Sequence, residues 1–143
     1  MVTWKTNIET AYTVLIISDQ PETAASWSTL FNQRNCIVLS ESDRSYAVQS
    51  ARLMDPSLMV VDLQLDKTER SAFLQELRAA SRGHILMLIS ANTVEEIIEA
   101  NRAGADECLV KPVNPAVLVI KAMAWLGHGH RSQPISNPIS VTL

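Results

Sequence analysis

Apolar residues along this chain fall into short uninterrupted runs, separated by longer stretches where they recur every three or four positions. The run Thr13-Val14-Leu15-Ile16-Ile17 stops at Ser18-Asp19-Gln20-Pro21. A continuous β-branched run of this length predicts a strand buried on both faces. From Glu22 to Arg34 the period turns helical, with Ala24, Trp27, Leu30 and Phe31 on one stripe. Cys36-Ile37-Val38-Leu39 reads as a second strand. Ser45 to Met54 reads as a helix with Tyr46, Ala47, Ser50, Ala51 and Met54 inward, closed by Asp55-Pro56. Leu58-Met59-Val60-Val61 is a third strand ending at Asp62, and Phe73, Leu74 and Leu77 mark a helix that gives out near Ser81-Arg82-Gly83. Ile85 to Ile89 is a fourth strand ending at Ser90, and Val94, Ile97 and Ile98 mark a helix stopped by Gly104. Cys108-Leu109-Val110 is a short fifth strand. A last helix over Pro115 to Leu126 carries Val117, Leu118, Ile120, Lys121 and Trp125, and Gly127 is expected to close it.

Strands alternating with helices in this way predict an α/β fold, a five-stranded parallel sheet with helices on both faces. One folded domain is expected over 12–127, preceded by a loose arm over 1–11 and followed by a flexible tail or linker over 128–143. His128 and His130 lie in that Gly-bearing tail with no third ligand, so they read as solvated residues rather than a metal site.

Composition narrows the picture. A net charge of −3 and a pI near 5.6 give no electrostatic footprint for nucleic acid, so no direct nucleic-acid contact is expected from this domain. The two cysteines, Cys36 and Cys108, both sit in apolar runs, which argues against a disulfide framework and fits a reducing cytoplasm. The start, Met1-Val2-Thr3-Trp4-Lys5, lacks the pattern of a secretory signal, and the apolar runs fall far short of the ~20 residues that span a bilayer. A cytoplasmic location without membrane partners is the expectation.

In open α/β sheets ligands bind beyond the carboxyl ends of the strands. In this sequence those ends deliver Ser18 and Asp19, then Asp62, then Ser90 and Ala91, then Lys111 and Pro112. Two carboxylates, a hydroxyl and an ammonium would converge on one edge. Each alone has an ordinary reading: Asp19 stands where it could cap the first helix, Ser90 the fourth, and Lys111 could be a surface lysine. Their order on regularly spaced strands is the specific signal.

With those residues in place, the chain resembles a response-regulator receiver domain, of flavodoxin-like (βα)5 fold, over roughly residues 12–126. The closest passages are Val14 to Glu22, Leu58 to Leu65, Ile85 to Ala91 and Ala103 to Pro112. The resemblance implies that Asp62 accepts a phosphoryl group from a histidine kinase or phosphotransfer protein. It implies Mg²⁺ held by Asp19, Asp62 and the backbone carbonyl of Gln64, phosphoryl oxygens held by Ser90 and Lys111, and a cis peptide before Pro112. It also implies no enzyme of metabolism but a switch for an output domain, often transcriptional, and a homodimer through the fourth helix, fifth strand and fifth helix. The chemistry suits those residue types. A carboxylate can serve as a covalent nucleophile, and Mg²⁺, typically held by one or two carboxylates, screens it from an anionic donor.

Three positions depart from the family pattern. Ser18 stands where the first of two adjacent acids is usual, which weakens the expected Mg²⁺ site. The usual Pro and Gly are missing from Leu65 to Ser71, where Asp66, Lys67 and Arg70 add charge near the site. Cys108 replaces the aromatic switch residue and has too little volume to report the motion of Ser90. A degenerate receiver that docks or dimerises without phosphorylation is therefore the rival reading. A flavodoxin-like cofactor carrier fits poorly, because the loop Ser18 to Thr23 is acidic and has no glycine to cradle a phosphate.

Overall fold

The computed structural model describes residues 11–90 and 93–129. The expected arm and tail lie outside the described residues, apart from Ala11 and the backbone of His128 and Gly129. Strands β1 (Tyr12–Ser18), β2 (Cys36–Glu41), β3 (Leu58–Asp62), β4 (His84–Ile89) and β5 (Glu107–Val110) form one sheet. They alternate with helices α1 (Pro21–Asn32), α2 (Arg44–Met54), α3 (Lys67–Ala80), α4 (Val94–Ala103) and α5 (Pro115–Gly129). The strand order is β2-β1-β3-β4-β5, and every pairing is parallel. All carboxyl ends therefore share one edge.

The core has two layers because neighbouring residues of a strand face opposite ways. Val14, Ile16, Leu58, Val60, Leu86 and Leu88 pack under α1 and α5, against Trp27, Phe31, Leu118 and Leu126. Leu15, Ile17, Met59, Val61, Ile85 and Met87 pack under α2, α3 and α4, against Ala47, Phe73, Leu74 and Leu77. Burial on both faces explains why β1, β3 and β4 are continuous apolar runs.

The helices begin and end where local chemistry sets them. Pro21 opens α1 with its fixed φ. Asp66 and Glu69 form a reciprocal capping box at the start of α3: Glu69 N donates to Asp66 Oδ1 at 2.8 Å and Asp66 N to Glu69 Oε1 at 3.0 Å. Gly104, at φ 141°, ends α4 in a conformation other residues rarely adopt.

Two expectations about helix faces need correction. Tyr46 is 61% exposed, because the buried stripe of α2 runs through Ala47 and Ala51, and Tyr46 lies about 100° around the helix from Ala47. In α5 the buried stripe is Leu118, Val119, Ala122 and Leu126, while Val117, Ile120 and Lys121 face outward. That helix also runs through Gly127 to Gly129, since a glycine in a helix costs only about 1 kcal/mol. No helix among the described residues is long and apolar enough to cross a membrane.

Candidate functional site

The carboxyl edge of the sheet gathers the polar strand ends. Ser18 and Asp62 are opposite partners in the β1–β3 register, and both are buried. The Ser18 hydroxyl turns back on the chain, accepting from Gln20 N at 3.0 Å, so it shapes the β1–α1 turn. Asp19 is exposed just beyond it and does not cap α1. Gln20 occupies the N-cap and makes no side-chain cap hydrogen bond. Lys111 follows β5, its backbone N–H held by the carbonyl of Ile89 at 3.0 Å, and the Lys111–Pro112 peptide is cis. From there its Nζ reaches Asp62 Oδ1 at 2.7 Å, with Asp62 nearly enclosed and Lys111 half-buried. A charge-assisted bond of this length holds the carboxylate in one orientation.

Beside that pair lies a cavity of about 110 Å³ lined by Gln64, Arg70, Met87, Ser90 and Lys111, among others. Ser90 stands just past β4 and is exposed, while the cap of α4 belongs to Thr93, whose hydroxyl accepts from Glu96 N at 3.3 Å. Ala91 lies outside the described residues. Cys108 pairs in register with Met87, a residue of the cavity wall, and its thiol donates to Asn101 Oδ1 on α4 at 3.6 Å. Burial pushes the Cys108 thiol up, partly offset by the Arg70 guanidinium and reinforced by the Glu107 carboxylate, which keeps it a thiol at neutral pH.

The three charged residues noted between Leu65 and Ser71 have separate fates. Asp66 caps α3, and Lys67 points away to Glu99 on α4 at 3.5 Å. Arg70 turns inward to the cavity and is 9% exposed. Its helical phase, shared with the buried Phe73, Leu74 and Leu77, is the sequence signal that marks it.

The response-regulator receiver domain family matches residues 14–123. The chain belongs to that family. Among relatives of this receiver is the "Probable transcriptional regulatory protein TcrX" of Mycobacterium tuberculosis, 29% identical over 80% of the chain and 49% of the relative. The receiver thus spans about half the length of the curated relatives it matches. Among solved structures, a CheY-like response regulator receiver domain protein from Methanospirillum hungatei superposes with a TM-score of 0.76 at 20% identity, covering 85% of this chain and 98% of that one. A response regulator from Burkholderia pseudomallei, solved with a phosphorylated aspartic acid and a calcium ion, gives 0.69 at 20% identity, covering 89% and 75%. These likenesses establish the fold.

For a metal, the donor set of this receiver fits a hard dication with one acid fewer than usual. Asp62 ends β3, Asp19 follows its register partner Ser18 on the adjacent strand, and Gln64 offers a backbone carbonyl two residues past Asp62. Among the described residues there is no cluster of three His, Cys, Asp or Glu that could hold a metal. The residues that would hold Mg²⁺ are thus two carboxylates and a backbone carbonyl, a donor set that this ion accepts alongside water.

Proposed function

We propose that this receiver takes a phosphoryl group onto Asp62 from a histidine kinase or phosphotransfer protein and relays the change to an output carried elsewhere. The observation that carries the reading is a buried carboxylate at the end of β3, fixed by Lys111 Nζ at 2.7 Å and bordered by a cavity. A carboxylate oxygen of Asp62 attacks the donor phosphorus. As that O–P bond forms, the P–N bond to the donor imidazole breaks, and the imidazole nitrogen leaves with the electron pair and takes up a proton. Lys111 holds the carboxylate before transfer and a phosphoryl oxygen after it, and Ser90 offers its hydroxyl to another. Asp19, Asp62 and the Gln64 carbonyl would hold Mg²⁺, which when bound supplies charge neutralisation to an anionic donor.

The output reading follows the relatives. TcrX is named a transcriptional regulatory protein and is about twice the length matched here, so a transcriptional output on a further segment is the natural partner. A homodimer through α4, β5 and α5 is supported by Ile98, Val110, Val117 and Ile120, which leave apolar surface exposed on those elements. The domain works as a cytoplasmic signalling switch and not as an enzyme of metabolism.

The test is labelling by acetyl phosphate, read as a mass gain of one phosphoryl group, with beryllofluoride binding as the stable analogue. The wild type is expected to label in Mg²⁺, and Asp62→Asn is expected to abolish labelling completely. No labelling of the wild type under any metal condition would instead favour a docking module that never carries phosphate.

A further inference from the structure

Arg70 is used neither by the packing of the sheet nor by the transfer step described above. Its backbone N–H donates to the Asp66 carbonyl at 2.8 Å within the first turn of α3, so the capping box fixes where its side chain starts. The helical phase then sends that side chain inward alongside Phe73, Leu74 and Leu77, leaving it 9% exposed on the wall of the cavity shared by Ser90 and Lys111. Among the described residues its guanidinium has no hydrogen-bond or ion-pair partner, whereas Arg78, one helical face along, has three.

A guanidinium cannot shed its proton, and this one meets the cavity with no counter-charge bonded to it among the described residues. The local charges show what would supply one. Lys111 already pairs with Asp62, while Arg70 lines the same cavity as Lys111 and Ser90 without a partner of its own among the described residues. Phosphoryl transfer puts a group bearing close to two negative charges at the end of β3, which raises the demand for cationic partners there. Ser18 adds no competing charge, since a neutral hydroxyl stands where a further acid would lower the site's charge.

We propose that Arg70 is a second cationic ligand of the phosphoryl group on Asp62, reaching it from the cavity wall that it shares with Ser90 and Lys111. The inference rests on the phosphoacceptor role proposed above and adds to it which residue reads the phosphate. The guanidinium presents a planar fork suited to two phosphoryl oxygens, while Lys111 contributes a point charge.

The test uses the full chain. The Arg70 Nε–Hε signal is assigned by ¹⁵N NMR and followed during titration with beryllofluoride and Mg²⁺, so the result does not depend on any variant folding. In parallel, beryllofluoride affinity is compared among wild type, Arg70→Met, which keeps the length without charge, and Arg70→Lys. The expected result is a large shift of the Arg70 signal and an affinity loss of about tenfold to a hundredfold in Arg70→Met, the size of one lost hydrogen bond to a charged group. Arg70→Lys should recover part of the loss. A wild type that binds beryllofluoride while the Arg70 signal stays put and Arg70→Met binds equally well would overturn the inference and leave the receiver reading standing. A wild type that binds none would overturn both.

Discussion

The two edges of the sheet hold similar charges and treat them in opposite ways. At the amino edge, Asp106 Oδ2 accepts from Ile85 N at 2.7 Å and from Arg78 Nη2 at 2.8 Å, and Arg78 also donates to the carbonyls of Gly83 and Gly104. Beside it Glu107 accepts from Trp125 Nε1 and pairs with Lys121 at 3.1 Å. At the carboxyl edge, Asp62 has Lys111 as its one side-chain partner among the described residues, and Arg70 has none. Saturated partners tie β4 and β5 to α3 and α5. Unsaturated ones hold binding capacity in reserve, and the contrast separates residues that serve the fold from residues that serve the site.

The sharpest way to break that contrast is to disarm the amino edge. Asp106→Ala removes the acceptor of both the Ile85 amide and the Arg78 guanidinium, and should destabilise the domain by about 2–3 kcal/mol, held below the full sum because Asp106 is partly exposed. Urea denaturation measures the loss. Beryllofluoride affinity should stay at the wild-type value in the folded protein, because the carboxyl edge shares none of these bonds. A matching loss of affinity would show that the two edges are coupled.

A smaller effect is expected from crowding the carboxyl edge. Cys108→Tyr places a ring beside Met87, on the wall of the cavity that Arg70 also lines, and should cost about 1–2 kcal/mol by overpacking. In an Arg70→Ala background the same ring gains room, so the cost should shrink, and a double-mutant cycle by denaturation reads the difference. Equal costs in both backgrounds would show that Arg70 and position 108 do not share the space.

The same contrast explains what the sequence discloses. Strands β1, β3 and β4 are legible because both faces are buried, and Asp62 and Lys111 are legible because they stand where apolar runs stop. The face of α5 is harder to phase: it is apolar nearly all round, so Val117 and Ile120 look as inward as Leu118 and Val119, although they are exposed. Tyr46 misleads similarly, since aromatic bulk is no evidence of burial at a surface helix. Arg70 is obscured by its neighbours. In a charged stretch with Asp66 and Lys67 it reads only as one more charge near the site, and its spacing from Phe73, Leu74 and Leu77 is what places it on the apolar stripe.

The weakest expected effect is a pH dependence confined to the amino edge. His84 opens β4, half-buried against the Trp125 ring at 4.7 Å between centroids. Burial pushes its pKa down, Asp106 at 3.8 Å pulls it back up, and Arg78 pushes it down again, with burial dominant. A folded state with a lowered histidine pKa binds fewer protons than the unfolded chain once the pH falls below the ordinary histidine value of about 6.5. Stability should therefore be level above that point and decline as the pH drops through it toward the folded value. Asp55 acts in a separate window. Its carboxylate accepts from Ser81 Oγ and the Arg82 amide, which hold its pKa below the ordinary carboxylate value of 3.8, so its contribution disappears only in stronger acid. Urea denaturation between neutral pH and about pH 5 should show the decline in the wild type and a flatter line in His84→Gln. An identical slope in both would assign the decline to other groups and leave the amino edge insensitive to protons.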